Sequence, residues 1–269
     1  MNTLPTALPL TPDACQDAAS RSLTLEISAD TMAVLVSPAD AATPHIYAAI
    51  VLDAGHARHA AAVEEAVYSN PMLLCDFRSV KVLLRGGNTL PAPQGFGPWP
   101  TAATGEETLC EGLPALGIEL TGSHDSELMK FLRRSFNNPT IGSHMAQLCS
   151  FCGRLSRRAN RCRAYVQYLG PSVDVLLFDK GRLLLAATYA VTSPDDALYY
   201  VLAACATAGF SRSDDELMLV APSARREELQ PLLRKYVNYV MPLILPAELC
   251  REAPLELALA VRPNYNETT

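Results

Sequence analysis

Cys149-Ser150-Phe151-Cys152 is a C-x-x-C pair, with His144 before it and Cys162 after it. Four such residues can close a tetrahedral zinc site, and a C-x-x-C pair alone can run thiol–disulfide exchange. The same two cysteines share a stripe with Met145, Leu148 and Leu155, at the spacing of the buried face of a helix. No second C-x-x-C occurs in the chain. Core packing is therefore the reading that the pattern favours.

Arg154, Arg157, Arg158 and Arg161 also recur at helical spacing, with Arg163 and the pair Arg133-Arg134 nearby. On one continuous helix they would form a basic stripe suited to a phosphate-rich or acidic partner. The alternative is a solvated helix face in an acidic protein. The histidines, His45, His56, His59, His124 and His144, fall in no H-E-x-x-H or comparable metal pattern, and surface or capping roles are expected of them. Walker A, G-x-G-x-x-G and G-x-S-x-G motifs are absent, which removes the usual signatures of phosphate loops, dinucleotide sites and α/β-hydrolase nucleophiles.

The elements that would carry these residues repeat along the chain. Leu23 to Ile27, Met32 to Val36 and Ile46 to Leu52 read as three strands, followed by a helix over His56 to Tyr68 and strand signals at Met72 to Cys75 and Val80 to Leu84. Asp125 to Ser135 and Ser143 to Ala159 read as helices. The second half starts again with strands over Ala164 to Leu169, Val173 to Phe178 and Leu183 to Ala190. A helix then opens at Ser193, with Pro194 in its first turn, Asp195 and Asp196 complementing its dipole, and Gly209 at its end. Leu217 to Val220 is a further strand, Arg225 to Tyr236 a helix, and Val240 to Leu245 and Leu255 to Val261 are short final segments. Three strands in a meander, a helix and another strand, read twice, predict two lobes of mixed sheet covered by helices, an α/β protein. The expected organisation is a loose lead-in over 1–20, a first lobe over 21–140 and a second over 141–269. Residues 91–117, rich in Pro and Gly around Trp99, are expected to form a linker or long surface loop.

Composition narrows the function classes. Nearly half of the 269 residues are hydrophobic and the formal net charge is -6, which describes a packed protein and disfavours nonspecific nucleic-acid binding. Eight cysteines are too sparse for a disulfide scaffold, so most are expected as free thiols. No window reads as a membrane span, and Met1 to Asp13 carries neither a basic n-region nor a signal-peptide core. The cytoplasm is the expected location.

Ser22 to Val36, Tyr165 to Tyr189, Ser193 to Ala208 with Asp195-Asp196-Ala197-Leu198-Tyr199-Tyr200, and Leu217 to Tyr236 together resemble the bacterial family DUF3822, typical of Bacteroidetes. The resemblance runs over roughly residues 20 to 262 and rests on diffuse motifs. It implies the duplicated ribonuclease H-like (actin-like ATPase) fold, with pilus-assembly and cell-division proteins as relatives and no assigned function. Actin-like proteins hold ATP with three loops: one Asp-containing strand turn per lobe and a late Gly-Gly turn. Glycine lets backbone N–H groups approach phosphate, and Asp anchors the metal and its waters. Here the first turn is Glu26-Ile27-Ser28, with Glu for Asp and Ser for Gly. The second is Tyr168-Leu169-Gly170-Pro171, with Tyr in place of the carboxylate and Pro171 removing a donor. The third is Val220-Ala221-Pro222-Ser223, with Ala-Pro for Gly-Gly. Only 14 glycines occur in 269 residues, below the average share of roughly 7%.

All three loops depart from the nucleotide pattern. Glu26, Ser28, Gly170 and Ala221 mark where a nucleotide would have bound, and neither ATP, magnesium nor another cofactor is expected. The leading expectation is a non-catalytic scaffold or regulatory protein with an unidentified protein partner. One alternative is a divergent ATP-binding protein or ATPase, with Glu26 holding a metal and Asp174 or Asp179 assisting. Another is RNA or acidic-partner binding through Arg154, Arg157, Arg158 and Arg161.

Overall fold

A computed structural model of the chain describes residues 18–39, 45–52, 58–86, 89–97, 102–245 and 253–261. Two five-stranded sheets carry the same topology. In the first, β1 (Arg21–Ile27), β2 (Thr31–Pro38) and β3 (Ile46–Val51) form an antiparallel meander. β4 (Ser79–Leu84) and β8 (Thr140–Ser143) add in parallel, giving the order β3-β2-β1-β4-β8. In the second, β9 (Cys162–Tyr168), β10 (Ser172–Asp179) and β11 (Arg182–Ala190) form the meander. β12 (Glu216–Val220) and β13 (Tyr239–Pro242) add in parallel, giving β11-β10-β9-β12-β13.

The period-2 alternation of the strands assigns their faces. Leu23, Leu25 and Ile27 enter an outer core with α1 (His59–Tyr68) and α2 (Ser126–Ser135). Ala164, Val166, Tyr168, Val173, Val175 and Leu177 enter a second outer core with α4 (Pro194–Thr207) and α5 (Ser223–Leu233). The other faces of the two sheets look inward. α3 (His144–Ser156) and α6 (Leu255–Ala260) lie between them, packed with Tyr165, Leu176 and Phe178.

The halves match residue by residue at the first hairpin. Ile27 pairs with Met32 across a four-residue turn, and Tyr168 pairs with Val173 across another of the same length. Glu26 therefore corresponds to Gln167, and Ala33 to Asp174. Placing Tyr168 at the carboxylate position is therefore one residue out of register.

Residues 91–117 are not simply a linker. β5 (Leu90–Pro93), β6 (Glu106–Leu113) and β7 (Ile118–Asp125) form a third sheet of order β5-β7-β6, with a 3₁₀ turn over Pro114–Leu116. It is inserted between β4 and α2, where the second half runs directly from β12 into α5. Pro91 and Pro93 disguise β5, yet an edge strand tolerates proline. Trp99 lies outside the described residues.

Other boundaries also move. Met72 to Cys75 falls in a 3₁₀ helix, Pro71–Leu74, and the following half-turn rather than a strand, because Pro71 starts a helical turn. The helix expected from His56 begins at His59, and residues 53–57 lie outside the described residues, as do 1–17 of the lead-in. β8 carries the first sheet to Ser143, just past the expected lobe boundary at 140. The α4 signals hold: Ser193 Oγ accepts from Asp196 N at 3.1 Å, Asp196 Oδ2 accepts from Ser193 N at 3.1 Å, and Gly209 has φ 72°. Ser193→Ala should lower stability by roughly 1 kcal/mol in urea unfolding, with an unchanged m-value.

Candidate functional site

One charged residue interrupts an apolar run in each of several elements, and the fold brings these residues together. Glu26 stands in Leu-Glu-Ile near the end of β1, Asp174 in Val-Asp-Val of β10, and Glu256 in Leu-Glu-Leu of α6. Arg85 follows β4 directly, and its N–H donates to the Ile27 carbonyl at 2.9 Å. The alternation of β1 and β10 aims Glu26 and Asp174 away from the outer cores, into the seam between the two sheets.

The Arg85 guanidinium occupies that seam. Nε donates to Glu26 Oε1 at 2.7 Å, Nη1 to Asp174 Oδ2 at 2.7 Å, and Nη2 to Glu256 Oε1. The Asp174 and Glu256 side chains are 0% exposed and the Arg85 side chain 7%. Neighbours extend the network. Thr188 Oγ1 donates to Asp174 Oδ1 at 2.7 Å, and Gln167 Nε2 donates to Glu256 Oε2 at 2.6 Å. His144 sets Nε2 3.2 Å from Asp174 Oδ1 and Nδ1 3.2 Å from the Leu84 carbonyl. Glu26 Oε2 and Gln167 Oε1, at equivalent positions of the two halves, are buried with no hydrogen-bond partner among the described residues.

Electrostatics follow from this geometry. Burial alone would raise the Asp174 pKa, but Arg85 and His144 beside it outweigh that and hold it well below the usual carboxylate range. Burial opposes the charge of Arg85, yet Asp174 and Glu26 overcome it and raise its pKa. A guanidinium with three carboxylates from both sheets and α6 is an internal cation that ties the halves together.

The expected nucleotide residues are only partly gathered here. Glu26 is in the cluster, but its carboxylate binds Arg85. Asp174, one of two proposed helpers, is also there. Asp179 lies five residues along β10, roughly 16 Å away at about 3.3 Å per residue, 44% exposed and paired with Arg182 at 4.0 Å. Ser28 closes its own turn: its N–H donates to the Thr31 carbonyl at 2.9 Å, and its carbonyl accepts from His59 Nε2 at 2.8 Å. Gly170 has φ 115°, and a Cβ there would lie 3.0 Å from Arg225 Nη2, so an arginine fills the space beside this turn. Ala221 is half-buried against the second outer core.

The arginine stripe does not form one face. The helix ends at Ser156, before Arg157. Arg154 lies over the Phe151 ring, Arg157 donates to the Ala115 carbonyl at 2.9 Å, and Arg161 reaches the Asp214 carbonyl and the Tyr239 ring. Cys149 and Cys152 are buried in the core between the sheets, where burial pushes both thiols up, and Cys162 is only partly buried. Cys75 is disulfide-bonded, whereas Cys110, Cys149, Cys152, Cys162 and Cys205 are free.

Arg85 and Glu256 are not among the residues expected from the sequence. The lone charge in an apolar run was the signal available for Glu26, Asp174 and Glu256. Arg85 carries no such signal, because it follows β4 in a loop next to Gly86.

Three measurements test this geometry. Arg85→Ala strands three buried carboxylates and should cost about 3–5 kcal/mol in chemical unfolding. Asp174 binds its proton less readily folded than unfolded. Its contribution is therefore complete above the ordinary aspartate value of about 3.9 and is lost as pH falls below it. Asp174→Asn should flatten that acid limb of the stability–pH curve. Native-state alkylation should label Cys110 and spare Cys149 and Cys152 until the chain unfolds.

Among the described residues, no helix is long and apolar enough to cross a membrane. Comparison with curated proteins finds no match. Among solved structures, a Bacteroides thetaiotaomicron protein with actin-like ATPase fold and unknown function is similar at TM-score 0.75 and 17% identity, over 85% of this chain and 92% of that one. The PilM-PilN type IV pilus biogenesis complex is similar at TM-score 0.54 and 13% identity, over 92% and 99%. The family model described as protein of unknown function, DUF3822, matches residues 100–240. With the duplicated meanders, the mixed sheets and this match, the chain belongs to the DUF3822 family and has the actin-like ATPase fold.

Proposed function

We propose that the chain is a cytoplasmic, non-catalytic scaffold or regulatory protein that uses the actin-like fold for contact with another protein. The observation that carries this reading is the Arg85 guanidinium bonded to Glu26, Asp174 and Glu256. A nucleotide-dependent actin-like site needs free carboxylates for a metal and open backbone at its turns. Here the carboxylates are committed to a side-chain cation, and Arg225 stands against Gly170. Binding energy that would otherwise go to a ligand goes to joining the two halves.

A protein partner suits a chain whose seam is filled. One structure of similar fold is itself a complex, PilM with PilN, which supports protein contact as a use of this architecture.

Thermal-shift titration with Mg-ATP and Mg-ADP tests the reading. No rise in melting temperature is expected at millimolar nucleotide. A ligand at about 100 times its dissociation constant would add roughly 2.7 kcal/mol and a plain upward shift, and that result would contradict a closed seam.

A further inference from the structure

The inner face of the second sheet is covered on one side only. Over β9 and β10, α3 buries Tyr165, Leu176 and Phe178. The same rows continue across β12 and β13 without that cover. Met218 and Val220 are half-buried, and Tyr239 and Met241 stay 45% and 36% exposed. Ile244, just past β13, is 89% exposed. The first half treats the matching columns differently. Glu26 pairs with Leu83 and Gln167 with Val220, so Lys81 corresponds to Met218, and its neighbour Thr140 to Met241. There the third sheet stands over the columns: Glu111 Oε2 of β6 accepts from Ser143 N at 2.9 Å, and a Cβ on Gly142 would lie 2.8 Å from the same oxygen. Among the described residues, the second half has no counterpart of that sheet. Polar residues beneath a cover in one half are two neighbouring methionines without one in the other.

We infer that the β12–β13 face is a protein-docking surface, and that its occupant is an acidic amphipathic helix of another protein. Tyr, Met and Arg are enriched in the cores of protein interfaces, and the flexible thioether of methionine adapts to apolar side chains of varied shape. The edge of the sheet directs the partner to the face. Leu243 N donates to the Leu219 carbonyl at 3.0 Å, so alternate residues of β13 spend their backbone groups on β12, and Val240 and Pro242 turn theirs outward. The Val240 carbonyl already accepts from Arg234 Nη2 at 3.4 Å, and Pro242 has no N–H. An added strand would meet a capped acceptor and a missing donor. A helix satisfies its own backbone, and two strand columns about 4.8 Å apart give a shelf about as wide as one helix. Charge selects the sign of the partner. Glu216 is paired with Arg163 at 2.7 Å, and Asp214 Oδ2 accepts from the Ser211 and Ser213 hydroxyls. Arg161 is exposed, lies 5.4 Å over the Tyr239 ring and gives Nη1 to the Asp214 carbonyl. Its guanidinium keeps further donors for a partner's carboxylate. This inference rests on the protein-contact reading and names the surface and the class of partner.

Methyl NMR of the full chain with isotope-labelled methionine tests it. The probe is a synthetic amphipathic peptide of about 18 residues, long enough to be helical, with leucines on one face and glutamates on the other. Its addition should shift the Met218 and Met241 signals saturably and leave those of the buried Met32, Met129 and Met145 in place. Met241→Glu should weaken binding at least about tenfold, as should Arg161→Glu, while the buried methionine signals report that each variant stays folded. A peptide with lysine in place of glutamate should bind at least about tenfold more weakly. Unmoved Met218 and Met241 signals at about 1 mM peptide would overturn the inference, as would equal binding of the two peptides. Signals of Met218 and Met241 that shift with protein concentration alone would assign the face to a second copy and overturn the helical partner. Binding that moves other methionines instead would overturn this surface and leave the protein-contact reading standing. A melting-temperature rise with Mg-ATP would contradict that reading without changing the methionine shifts, so the two failures are distinguishable.

Discussion

The structure depends on one buried cation. Arg85 faces carboxylates from β1, β10 and α6 in a buried seam. In such surroundings each charge is costly alone and tolerable only when paired with good geometry. Forming the cluster therefore requires both sheets and α6 to be in place together. The constraint acts less as a source of net stability than as a condition on arrangement, since a guanidinium fork fits only a narrow set of carboxylate positions.

That condition explains the elements around it. The hairpin alternation that sends Leu23, Leu25 and Ile27 outward sends Glu26 inward, and the matching hairpin does the same for Gln167 and Asp174. The duplication supplies two similar inner faces, and their differences supply the chemistry. Where the first half has Glu26, the second has Gln167, and where the second has Asp174, the first has Ala33. The complementary charge comes from outside the hairpins, from the residue after β4. That charge belongs to the chain itself, on Arg85.

Much of the fold was legible in the sequence, because meanders and helix caps are local. Period-2 alternation exposed β1, β2 and β9 to β11, and Ser193-Pro194-Asp195-Asp196 announced α4. The third sheet was not legible, since β5 holds two prolines and β6 alternates only weakly, with Glu106, Glu107 and Glu111 along it. The seam was half legible. Glu26 and Asp174 drew attention as separate candidates for metal work, but their common partner lies 59 and 89 residues away in sequence. Nothing local links them. The arginine stripe failed for the opposite reason: helical spacing continued past Ser156, but the helix did not.

The central claim is that Arg85 and Asp174 act as one unit across the seam, and a double-mutant cycle tests it most directly. Arg85→Met, Asp174→Asn and the double variant would be compared with the parent by chemical unfolding. A coupling free energy of about 1.5–3 kcal/mol is predicted, the size expected of a charge-assisted bond between contacting groups. Effects that simply add, within about 0.5 kcal/mol, would contradict the account and leave the two halves held by their apolar contacts alone.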